Sequence, residues 1–131
     1  MSVRLATKLS VIGSLFFAAS SAATELSYKE YKAAPDIWKR GFVFGISRYM
    51  STVAQPDEEP PYPVRTGFQR CFAAATEAHL VQQVDTYVAA NPAASNGPIV
   101  AIVMRAMFDL CRSEIAKAQR ATPPTPPPPP R

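Results

Sequence analysis

Proline ends or opens regular structure wherever it falls, because its ring removes the amide donor and fixes φ, and here it draws most of the element boundaries. Of the 14 prolines in 131 residues, four lie in QPDEEPPYPVRTG (55–67) and seven in the terminal TPPTPPPPPR (122–131). The others stand singly at Pro35, Pro92 and Pro98. Helices are expected in the stretches between. PDIWKRGFVFGISRYMSTVA (35–54) has Pro35 in a first turn or at a kink. Ile37, Trp38, Phe42, Ile46, Tyr49 and Val53 make its apolar stripe. Ahead of it, SYKE (27–30) has the form of a capping box, with Ser27 as cap and Glu30 reaching back. TEAHLVQQVDTYVAANP (76–92) starts from Thr76 as a cap, carries Leu80, Val84, Tyr87 and Val88 at helical spacing, and stops at Asn91 and Pro92.

A turn of small residues, AASNG (93–97), leads to Pro98 at a first helical position. The segment that follows, PIVAIVMRAMFDLCRSEIAKAQR (98–120), is apolar on more than one side through Ile99, Ile102, Val103, Ala106, Met107 and Leu110. It is expected to be the central, most buried helix, with intrahelical ion pairs between Arg105 and Asp109 and between Glu114 and Lys117. No segment alternates like a strand. The expected fold is all-α: a small domain of three to four helices with one disulfide, an N-terminal signal peptide and a disordered Pro-rich tail.

The first 23 residues read as an export signal. Arg4 and Lys8 give a basic start, LSVIGSLFFAA an apolar core, and SSAA small residues for cleavage after Ala23. The uncharged run is about 16 residues, short of the roughly 20 a spanning helix needs, so an uncleaved anchor is the lesser reading. The division is then a signal peptide at 1–23, a helical domain at 24–120 and a polyproline tail at 121–131. The formal charge of +4 falls by two with Arg4 and Lys8, too mild an excess for nucleic-acid binding. Export would take the only two cysteines, Cys71 and Cys111, to an oxidising compartment, where they are expected to pair. The bond would pin the middle of the last helix to the entry of the helix before it.

Three further features bear on function. Gly41 and Gly45 share one helical face in RGFVFGIS, and each costs the helix about 1 kcal/mol relative to alanine. Lys39, Arg40 and Arg48 keep that helix from spanning a bilayer, so Gly41, Phe42 and Gly45 are assigned to close helix packing in a soluble fold. The acids Asp57, Glu58 and Glu59, with Tyr62, sit in the proline loop, where regular structure is not expected over about a dozen residues. They are the candidate contacts to a protein partner; a solvated connector is the alternative. The tail should be extended polyproline, suited to an aromatic groove, to a spacer, or to no specific reader.

Catalytic chemistry has little to work with. The single histidine, His79, falls in the first turn of a helix without other metal ligands at useful spacing. No phosphate loop, zinc motif or nucleophile elbow occurs, so the chain is read as a non-enzyme without cofactor or metal.

The order of GFVFG, Cys71, LVQQVDTYVAANP and a final apolar helix closed by Cys111 resembles the Rap/Tai family of small periplasmic immunity proteins, over roughly residues 25–113. Gly41, Phe42, Gly45, Cys71, Tyr87, Pro92 and Cys111 fall on the family pattern; many members have a proline where Ala73 stands. The resemblance implies a periplasmic immunity protein that occludes the active-site cleft of a peptidoglycan amidase effector delivered by type VI secretion. It also implies a homodimer, with the glycine helix and Trp38 as the seam. Two other readings are a cell-envelope interaction module that works through its proline tail and an HdeA-like periplasmic chaperone.

Overall fold

The computed structural model describes residues 25–123. The expected signal peptide and the tail beyond Pro123 lie outside the described residues. In chain order the elements are α1 (Tyr28–Ala33), α2 (Asp36–Thr52), α3 (Pro63–Ala73), α4 (Glu77–Ala90), a 3-10 segment (Pro92–Asn96) and α5 (Ile99–Ala121). The domain is all-α, with one more helix than expected and no strand among the described residues.

The start signals hold. Ser27 Oγ accepts from Glu30 N while the Glu30 carboxylate accepts from Ser27 N at 2.8 Å, completing the capping box. Thr76 Oγ1 accepts from His79 N at 3.2 Å. Pro35 and Pro98 each sit at the cap position, one residue ahead of the first helical turn.

The additional helix is α3, and it corrects the expectation of an unstructured 55–67. Pro63 opens it, where the missing N–H is not needed. Glu58 completes its start: Oε1 accepts from Val64 N and from Arg65 N, and Oε2 accepts from Gln55 N at 3.3 Å. A single carboxylate thus closes the proline loop and caps the helix. Glu58→Ala is expected to cost about 1–2 kcal/mol, the size of a lost helix cap. That is about 4–15 °C in Tm for a domain of this size, measurable by thermal circular dichroism.

α5 is the axis of the core, as expected. It buries Ile99, Ile102, Val103, Ala106, Met107, Cys111, Ile115 and Ala118, and Leu110 packs at the margin. Around it are Tyr31, Val43, Met50, Phe68, Leu80, Val84 and Val88. Its ion pairs are Lys117–Glu114, as expected, and Arg112–Asp109. Asp109 thus pairs with Arg112 in place of Arg105, one turn along on the C-terminal side.

The most extensive interface is between α3 and α5. Cys71 and Cys111 are bonded, with their Cα atoms 5.5 Å apart. One turn back on α3 and one turn on along α5, Gly67 lies against Ile115. A Cβ added at Gly67 would stand 2.5 Å from Ile115 Cα and 2.8 Å from Ile115 N. The two helices therefore run antiparallel in a single register fixed by both contacts. Helix axes ordinarily pack 8–10 Å apart, and a disulfide between facing helices draws them inward. Gly67 is the residue whose missing side chain lets them come. The bridge thus joins α5 to α3, a separate helix, and not to the entry of α4.

The core-facing side of α2 also differs from the expected stripe. Val43, Ser47, Met50 and Ser51 are buried, Phe42 and Ile46 pack at the margin, and Ile37, Trp38, Tyr49 and Val53 face out. Serine can sit inward here because its hydroxyl is satisfied within the helix: Ser47 Oγ donates to Val43 O at 2.9 Å and Ser51 Oγ donates to Arg48 O at 3.0 Å.

α1 is anchored through side chains. Tyr28 Oη donates to Asp85 Oδ1 at 2.9 Å and Lys32 Nζ reaches Asp85 Oδ2 at 3.0 Å, while Ile99 N donates to Leu26 O. Burial, then the bond to Asp85 and its negative charge, push the Tyr28 phenol up to about 12. Since the folded pKa lies above the unfolded value of about 10, this stabilisation is complete below pH 10 and is lost as pH rises towards 12. Melting temperatures across pH 8–12 should fall in that window, and Tyr28→Phe should flatten the fall.

Candidate interaction surface

Helix α2 presents its outer face to solvent over its whole length. Ile37 is 79% exposed and Tyr49 57%, with Trp38, Phe44 and Val53 also exposed. Among them lie Gly41 and Gly45, where an added Cβ would meet nothing within 4 Å. This corrects the assignment of Gly41 and Gly45 to packing inside the domain: they line an open notch, and the glycine that permits close approach is Gly67. Phe42 does pack inward, stacked on Trp38 at 4.9 Å and tilted against Tyr31 at 6.2 Å. Arg48 is exposed beside Phe44, and Arg40 is exposed at the groove between α2 and α4.

The proline-loop residues do not form one surface. Asp57 and Glu59 are exposed, but the Glu58 carboxylate is turned onto backbone amides at the start of α3. Tyr62 is half-buried with φ at 54°, in the left-handed region that a bulky residue rarely occupies. The Arg65 guanidinium lies 4.2 Å from the centre of its ring, a cation–π contact that holds the tyrosine in place. His79 is exposed in the first turn of α4, as expected. Among the described residues no group of three or more His, Cys, Asp or Glu is placed to hold a metal ion. None of the described helices is long and apolar enough to cross a membrane.

Beneath one edge of the α2 face, where α2 meets α3 and the start of α4, lies a cavity of about 240 Å³. Phe44, Phe72 and Leu80 wall it, Ser47, Ser51 and Gln69 supply polar atoms, and Arg48 and Glu77 stand among its lining residues. No motif in the sequence announces this site. Its residues come from three helices, one of which is α3.

Fold and surface together define a disulfide-braced helical domain with an open, apolar helix face. Comparison with models of protein families, with curated proteins and with solved structures finds no match to the chain.

Proposed function

We propose that this chain works by binding another protein, and that it is an exported immunity-type protein that occludes the active-site cleft of a peptidoglycan amidase. The observation that carries the binding reading is the outer face of α2. Four large apolar side chains of the helix, and Val53 just past its end, are exposed there, around two glycines for which the domain's own packing has no use. Glycine disfavours a helix, and contiguous exposed apolar surface favours partner contact. The amidase as target rests on the resemblance carried by Gly41, Phe42, Gly45, Cys71, Tyr87, Pro92 and Cys111. The Cys71–Cys111 bond is in keeping with the periplasm as the working compartment. A braced scaffold loses little entropy on docking, as a stoichiometric inhibitor requires.

The same face is our proposed seam for a homodimer, which a docking amidase would displace. Gly41→Ala with Gly45→Ala separates this reading from a structural role. With open space at both positions, the double variant should gain about 1–2 kcal/mol of helix stability. Association, read by analytical ultracentrifugation and by capture of candidate amidases, should weaken at the same time. A variant that is more stable and associates as well as the parent would remove α2 from the binding surface.

A further inference from the structure

We infer that the cavity between α2, α3 and the start of α4 is a socket for one aromatic side chain bearing a ring N–H or O–H, a tryptophan or tyrosine presented by the protein partner. This deepens the reading of the chain as a binding domain and rests on it. Size comes first. At about 240 Å³ the cavity is smaller than the roughly 300–1,000 Å³ of pockets that enclose a whole drug-sized ligand, so it suits a single large side chain. Its walls, Phe44, Phe72 and Leu80, offer two aromatic faces and an aliphatic one.

Its polar atoms choose among large side chains. Ser47 Oγ spends its proton on Val43 O, Ser51 Oγ spends its proton on Arg48 O, and Gln69 Nε2 donates to Ser51 O at 2.9 Å. What these three residues have left is mainly acceptors: two hydroxyl oxygens and the Gln69 carbonyl oxygen, beside the second N–H of Gln69. Glu77 adds a carboxylate among the lining residues. A leucine or phenylalanine would leave the Gln69 carbonyl oxygen and the Glu77 carboxylate against apolar surface, which is costly. A lysine or arginine would meet the like charge of Arg48 as well as the opposite charge of Glu77, so the lining offers a cation no net charge. An indole or phenol gives one of these acceptors its donor and packs its ring on the walls. Tryptophan and tyrosine are also the side chains that most often dominate binding energy at protein interfaces. The cavity shares Phe44 and Arg48 with the outer side of α2, so a partner docked there has it within reach.

Indole and benzofuran test this without any amidase, because they share a shape and only indole has the N–H. With the oxidised chain, two-dimensional amide NMR should show indole shifting Ser47, Ser51, Phe72 and Leu80 in a saturable way. Benzofuran should bind at least fivefold more weakly. Ala73→Leu, at an exposed position on the cavity lining, should abolish the shifts while leaving the melting temperature near that of the parent. Ser47→Ala, which removes an acceptor, should narrow the gap between the two probes. Equal binding of both probes, shifts mapping elsewhere, or no saturable shift at all would overturn the socket. An amidase complex that forms with Ala73→Leu as well as with the parent would overturn it too, while leaving the proposed function standing.

Discussion

Gly67→Ala is expected to destabilise the domain by about 2 kcal/mol net, although alanine is the better helix former. Two effects compete at this position. Alanine favours the helix by about 1 kcal/mol, but its methyl would lie 2.5 Å from Ile115 Cα and 2.7 Å from Ile115 Cγ1. A side chain alone can turn away. Here the Cα and amide nitrogen of α5 are also in the way, so α3 and α5 must separate. Overpacking of this kind costs about 1–3 kcal/mol and sometimes more, and it wins because the obstacle is main chain. At about 4–8 °C per kcal/mol for a domain of about 100 residues, Tm should drop by about 8–16 °C. A Tm for Gly67→Ala equal to or above that of the parent would mean that the close approach of α3 and α5 is wrong.

Loss of the Cys71–Cys111 bond should cost more. The bond closes a loop of 40 residues, which on the chain-entropy model is worth about 4 kcal/mol. Small domains are stable by only about 5–15 kcal/mol in total. The Cys71→Ser, Cys111→Ser double variant, or the parent under reductant, should therefore melt far below the oxidised chain and unfold at markedly lower denaturant concentration. The two predictions are coupled, because Gly67–Ile115 and Cys71–Cys111 are one turn apart in the same helix pair. Once the bond is gone the helices can relax apart, so Gly67→Ala should cost less in the reduced chain than in the oxidised one. A double-mutant cycle reads this as an interaction energy of about 0.5–3 kcal/mol. Strict additivity would show that bridge and glycine act independently.

How much of this was legible in the sequence follows from where the signals lie. The starts of α1 and α4 were readable from Ser27, Glu30 and Thr76, because capping is a local interaction written within four residues. The inward faces of α4 and α5 were readable because their apolar spacing is regular and long. Helix α3 was not, since four prolines around it read as loop, and its own stripe of Val64, Phe68 and Phe72 is only three residues long. That spacing of four, with Pro63 at a first-turn position and Glu58 available as a cap, was the signal that could have found it. For the glycines the difficulty is deeper. Gly41, Gly45 and Gly67 all occur in helices, and only the position of a distant residue, Ile115, tells which one permits a close approach. The stripe on α2 differs from the expected one because apolar spacing alone gives no weight to serine. Ser47 and Ser51 satisfy themselves within the helix, which leaves Ile37, Tyr49 and Val53 outside.

The exposed face that results is also what gives the functional reading its footing. The most direct test is to mix the oxidised protein with candidate peptidoglycan amidase effectors and to measure peptidoglycan cleavage alongside complex stoichiometry. Our account predicts that one amidase forms a tight equimolar complex, loses its activity in it, and regains activity when the α2 face is altered at Gly41 and Gly45. Full amidase activity at a saturating excess of this protein, across the effectors tested, would contradict it.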